Sequence, residues 1–128
     1  MKTPYRIRKR MNPRDMDSPA MYYPTPCYFS MVSTEMLSEE ISHATTLTPA
    51  DVSAVLTALS TKIVSHIEMG DKVKLDNFGI FKLAFSGKGR KEKSEVHARD
   101  IDDVHILFTP EAKLKRLIKK FSFAKKDL

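Results

Sequence analysis

An α+β fold is predicted by three features of this 128-residue sequence. Apolar residues recur at helical spacing from Thr34 to Gly70. They then alternate with polar ones on both sides of an Asp76-Asn-Phe-Gly79 corner, and a second helical pattern closes the chain. Helix, helix, three strands, helix is an α+β order, and 41% apolar residues suffice for a core.

Each element has a local reason. Met1 to Ser33 holds Pro4, Pro13, Pro19, Pro24 and Pro26, which forbids a long helix. Tyr5-Arg-Ile-Arg-Lys-Arg10 reads either as an edge strand with Arg6, Arg8 and Arg10 in an outer row or as a disordered basic tail. Tyr22-Tyr23-Pro24-Thr25-Pro26 is expected as an extended stretch laid over an apolar surface; a ligand for a proline-recognition module is the alternative.

Met36, Leu37, Ile41 and Ala44 predict a short helix to about Thr45, with Thr34 as its cap. Thr48-Pro49-Ala50-Asp51 joins a capping Thr, a proline at the first helical position and an acid at the third, so a second helix starts there. Its stripe, Val52, Val55, Leu56, Leu59, Ile63, Val64 and Ile67, is broad, and Gly70 stops it. More apolar area is exposed on this pair than a small sheet from the same chain would cover, which predicts a dimer with helix 49–69 near its centre. Strands follow at Lys72–Asp76, Ile80–Phe85 and Val104–Phe108. Thr109-Pro110-Glu111-Ala112 repeats the capped start, opening a basic last helix.

Charge is unevenly spread. Residues 1–33 carry six basic and two acidic side chains, 34–70 one and five, and 71–128 fifteen and nine. A net charge of +6 favours an anionic partner. Cys27 is alone, which fits a reducing compartment. No secretory h-region and no window of about 20 apolar residues is visible, so the expected location is cytoplasmic, away from membranes. His43, His66, His97 and His105 show no metal-ligand spacing. Asp100, Asp102 and Asp103 lack a calcium-loop frame and are read as a turn. Gly87-Lys-Gly-Arg90 is too short for a phosphate-binding loop of a common type. No enzyme, cofactor, metal or small-molecule substrate is therefore expected.

Val73-Lys-Leu-Asp-Asn-Phe-Gly-Ile-Phe-Lys-Leu83, following two helices and a Gly-Asp-Lys step, precedes a basic arm and a Phe108-Thr-Pro110 entry to a terminal helix. In this it resembles the bacterial HU/IHF histone-like DNA-binding proteins, from about Val32 to Lys120. The leader is similar to that of longer HU-related variants, giving segments 1–33 and 34–128. The resemblance implies an IHF-like intertwined homodimer, with a heterodimer of related chains as an alternative. It further implies a sheet saddle, two β-arms embracing double-stranded DNA through the minor groove, and a place in the nucleoid.

Carried over, the arm is Ser86 to about Arg99. The DNA-binding residues are Lys82, Lys88, Arg90, Lys91, Lys93, Arg99 and Lys113, with Arg6, Arg8 and Arg10 added from the extension. The dimer core is Val55, Leu59, Ile63, Phe78, Phe81 and Phe108. No proline lies between Gly87 and Asp103, so the family's wedge at the arm tip has no counterpart, and a kink loses its usual source of energy. No recognition helix is visible, and binding is expected to follow DNA shape rather than sequence. The rival reading is a dimeric structural or protein-interaction module that keeps the fold and leaves DNA alone.

Overall fold

The structure is a computed structural model and describes residues 1–126. Its elements are β1 (Thr3–Arg10), β2 (Met21–Pro26), α1 (Thr34–Ala44), α2 (Pro49–Glu68), β3 (Val73–Leu75), β4 (Gly79–Gly87), β5 (Ile101–Pro110), α3 (Ala112–Lys119) and β6 (Phe123–Lys125). Two compact units result, one of residues 1–33 with 117–128 and one of residues 34–116. Residues 117–128, assigned by sequence to the second segment, thus group with the leader.

The first unit is a three-stranded sheet in the order β2-β1-β6. β1 pairs antiparallel with β2, Tyr5 opposite Pro26 and Arg10 opposite Met21, and parallel with β6, Thr3 opposite Phe123. Among the described residues Arg6–Arg10 pair with β2 alone, as an edge strand would, although in the sheet order β1 is the central strand. It gains its second neighbour from the far end of the chain. The Tyr-Tyr-Pro-Thr-Pro stretch is itself strand β2. Pro24 and Pro26 have no N–H to give, so they occupy positions whose N–H would point outward, and that edge resists addition of a further strand. Residues 122–126 run along β1, where the Thr3 N–H donates to Ser122 O at 2.8 Å and the Lys126 N–H to Tyr5 O at 2.8 Å. Lys126 Nζ lies 5.5 Å from the centre of the Phe29 ring.

In the second unit, α2 starts as its sequence predicts. Thr48 Oγ1 accepts from the Asp51 N–H at 3.1 Å, and Asp51 Oδ2 accepts from the Thr48 N–H at 3.2 Å, a reciprocal capping box worth about 1 kcal/mol. Gly70 ends it, its N–H donating to Ile67 O at 3.0 Å. The sheet is antiparallel in the order β3-β4-β5. Val73 faces Phe81, which faces Phe108, and Leu83 faces Ile106, so these side chains share one face. The Phe81 and Phe108 rings stack at 4.8 Å between centroids. Lys74 pairs with Ile80 and Lys82 with Leu107, and these share the other face.

One expected helix start is displaced. Thr109 and Pro110 end β5, opposite Ile80 and Gly79, and α3 begins only at Ala112. Strand pairing overrides the capping motif here, and Pro110 is tolerated at the last strand position, where no ladder N–H is needed.

Little is buried. Among the described residues the buried apolar side chains are Cys27, Val52 and Ile67. Accessible surface totals 11320 Å², whereas a compact monomer of this mass exposes about 6,900 Å² and two separate units of these sizes about 8,000 Å². No helix among the described residues is long and apolar enough to cross a membrane.

Candidate nucleic-acid interface

The corner at Asp76–Gly79 fixes where the ribbon starts. Asn77 adopts a left-handed φ of 71°, and the Phe78 N–H donates to Leu75 O at 3.0 Å. A Cβ on Gly79 would collide with Thr109 O and come within 2.9 Å of the Phe108 ring, so β4 can lie this close to β5 only with glycine there. The corner is bound to the entry of α3. Glu111 Oε2 accepts from the Asn77 N–H at 2.6 Å, the Glu111 N–H donates to Phe78 O at 2.8 Å, and Lys113 Nζ donates to Asn77 Oδ1 at 3.3 Å. Lys113, expected at DNA, thus also fastens the corner.

At the other end of the ribbon the register shifts between Ala84 and Ser86. The one extra residue is on β5, where Asp103 takes a left-handed φ of 53°. Such bulges bend a strand and re-aim the residues beyond them. Asp103 is held by Ser86 Oγ at 3.2 Å, and its carbonyl lies 2.7 Å from His105 Nδ1. Asp102 and Asp103 are therefore strand residues rather than the turn their sequence suggested.

Residues 88–100 contain no strand. The expected β-arm is instead a loop with two short 3-10 turns, Lys93–Glu95 and Ala98–Asp100. Ladder pairing stops at Gly87 opposite Ile101 because Asp100 gathers the loop ends. Only 3% exposed, Asp100 accepts from Arg90 Nη2 at 2.7 Å through one oxygen and from the His97 N–H at 3.0 Å through the other. Its carbonyl accepts from the Lys88 N–H at 3.0 Å. The Arg90 guanidinium, followed by the His97 N–H, holds the Asp100 carboxyl below the usual carboxylate range. Asp100 in turn raises Arg90.

Arg90 is thus engaged within the loop, while Lys88, Lys91, Lys93 and Arg99 are exposed and, among the described residues, in no ion pair. Glu92 and Glu95 are interspersed with them. Lys82 lies on β4, half-buried, on the face opposite Phe81. Arg6, Arg8 and Arg10 belong to the first unit and Lys88 to Arg99 to the second. Of the expected dimer core, Val55 is 58% exposed, Phe78 55% and Phe108 42%, while Leu59, Ile63 and Phe81 are half-buried.

Sequence reasoning missed Asp100 as the closing residue and the Asn77–Glu111–Lys113 clasp. Three aspartates stand near the loop's end, and nothing local says which one meets Arg90. It also missed β6, although Phe121-Ser-Phe-Ala-Lys125 alternates as a strand does. Among the described residues no cluster of three or more His, Cys, Asp or Glu side chains is placed to hold a metal ion.

Comparison with known proteins places this architecture. A solved structure from Bacteroides vulgatus, described as a candidate bacterial DNA-binding protein, superposes with a TM-score of 0.65 over 98% of this chain at 10% identity. This chain spans about half that protein, 49% of its length. No curated protein matches the chain. The sequence model for an HU domain fused to a wHTH, Ig or glycine-rich motif matches residues 1–125. A match over nearly the whole length decides the relationship: the chain belongs to this family, HU-HIG.

Proposed function

We propose that this chain is an architectural double-stranded DNA-binding module of low sequence specificity, working as a homodimer. The observation that carries the reading is the loop 88–100, which holds Lys88, Lys91, Lys93 and Arg99 exposed and unpaired among the described residues at the end of a bulged ribbon. Cations so placed suit phosphate oxygens, and two-fold symmetry would present the set twice. With no recognition helix in the loop, contacts to the backbone dominate and sequence preference follows DNA shape. The missing proline and the closed loop argue for gripping rather than wedging, so the duplex is bent gently.

The dimer is supported by area. An accessible surface of 11320 Å² exceeds that of two separate compact units by about 3,000 Å² per chain, or about 6,000 Å² over two copies, which is the scale of a large obligate interface. Val55, Phe78 and Phe108 are the side chains such a partner would bury.

Titration of a random-sequence duplex at several salt concentrations tests the reading. If roughly six phosphates are neutralised, log K falls against log salt with a slope of about −5. Absence of binding at low salt would favour the protein-interaction module, for which the Arg90–Asp100 closure and the acids of the loop are the supporting features. Sedimentation showing a stable monomer at micromolar concentration would remove the dimer.

A further inference from the structure

The net charge of the chain does not reside in the unit that carries the loop. Residues 1–33 and 117–128 hold ten Lys and Arg against three Asp, whereas residues 34–116 hold twelve against thirteen Asp and Glu. The first unit is thus +7 and the second −1, although the loop lies in the second. Counted along the sequence this is hidden, because β6 and its lysines join the leader only through the fold.

Within the first unit the arginines are ordered. Arg6, Arg8 and Arg10 alternate along β1 and so share one face, each about 6.8 Å from the next along the strand. Directly opposite them on β2 stand Thr25, Tyr23 and Met21, so the paired strand brings no carboxylate to that face. Arg8 and Arg10 are exposed, and none of the three lies in an ion pair among the described residues. β1 pairs with β2 from Tyr5 to Arg10 and with β6 from Thr3 to Tyr5, which fixes the row as a tail could not. Like charges aligned on one face of a sheet repel, and among the described residues no carboxylate in the sheet offsets them. A regular polyanion does so from outside, and Tyr23 offers a hydroxyl donor beside the row.

We propose that the Arg6–Arg8–Arg10 face of the β1–β2 sheet is a second contact for the phosphate backbone of double-stranded DNA. It is separate from loop 88–100 and supplies the larger share of the salt-dependent affinity. This rests on the DNA-binding reading and adds to it a division of labour: the leader sheet attracts and holds the duplex, and the ribbon loop adds a weaker grip.

Fluorescence anisotropy on the full chain with a labelled random duplex, across a salt series, separates the two contacts. One variant is Arg8→Gln with Arg10→Gln; the other is Lys88→Gln with Lys91→Gln and Lys93→Gln. All five positions are exposed, and an unchanged thermal melt checks that each variant folds. The leader variant is expected to bind about tenfold more weakly at moderate salt and to flatten the log–log slope by about 2, the larger effect of the two. An affinity and slope equal to the unmodified chain would overturn the inference. If only the loop variant weakens binding, the DNA reading stands and this face falls; if only the leader variant does, this face stands and the loop assignment falls. No duplex binding by the unmodified chain at low salt would overturn both.

Discussion

The two basic regions hold their charge differently. In loop 88–100 Arg90 is turned onto the buried carboxylate of Asp100, and acids are interspersed with the lysines that remain. On β1 three arginines stand in line with no ion pair among the described residues. One region uses cationic charge partly to shape itself, while the other leaves Arg8 and Arg10 exposed. Proximity of basic residues in a sequence is thus a poor measure of charge available to a partner, because part of it is consumed in closing the loop.

The largest test of this contrast concerns the scaffold under the loop. Gly79→Ala pushes a Cβ into Thr109 O and is expected to destabilise the chain by about 3 kcal/mol, read by urea unfolding. If stability is unchanged, the corner is not what holds β4 to β5. Leu59→Ala, on the broad stripe of α2, is expected to weaken self-association by about 2 kcal/mol in sedimentation equilibrium. Asp100→Asn frees Arg90 and removes one negative charge, so duplex binding should tighten roughly threefold while amide exchange at Lys88 and His97 quickens. Weaker binding would mean that the closed loop, rather than its charge, is what DNA meets.

The smallest effect is with pH. Because the folded Asp100 carboxyl lies below its ordinary value, the closure is fully present above the unfolded value of about 3.9 and is lost as pH falls through the folded one. The Asp100 carboxyl carbon resonance should therefore show its protonation step only in strong acid, below the ordinary carboxylate range. Movement near neutrality would show that another group governs the loop.

What the sequence disclosed was local. The capping box of Thr48 and Asp51, the stop at Gly70 and the alternation around Asp76–Gly79 each depend on residues within a few positions of one another. Tertiary pairing decided the rest. Thr109 and Pro110 carry a helix-start motif, yet β4 draws them into a strand. The arm residues were nameable from resemblance, but their closure depends on Asp100 meeting Arg90 across ten residues. The leader's order was least visible, since β1 has a neighbour that lies at the other end of the chain.

That pairing of β1 with β6 also sets a timetable for synthesis. Thr3–Tyr5 leaves the ribosome early, and its parallel partner, Phe123–Lys125, emerges only after the helices and the ribbon have been made. Parallel pairing across so long a stretch is slow. Until then Thr3–Tyr5 waits without the partner it has in the folded sheet, while Arg6–Arg10 can pair with β2 as soon as Met21–Pro26 has been made.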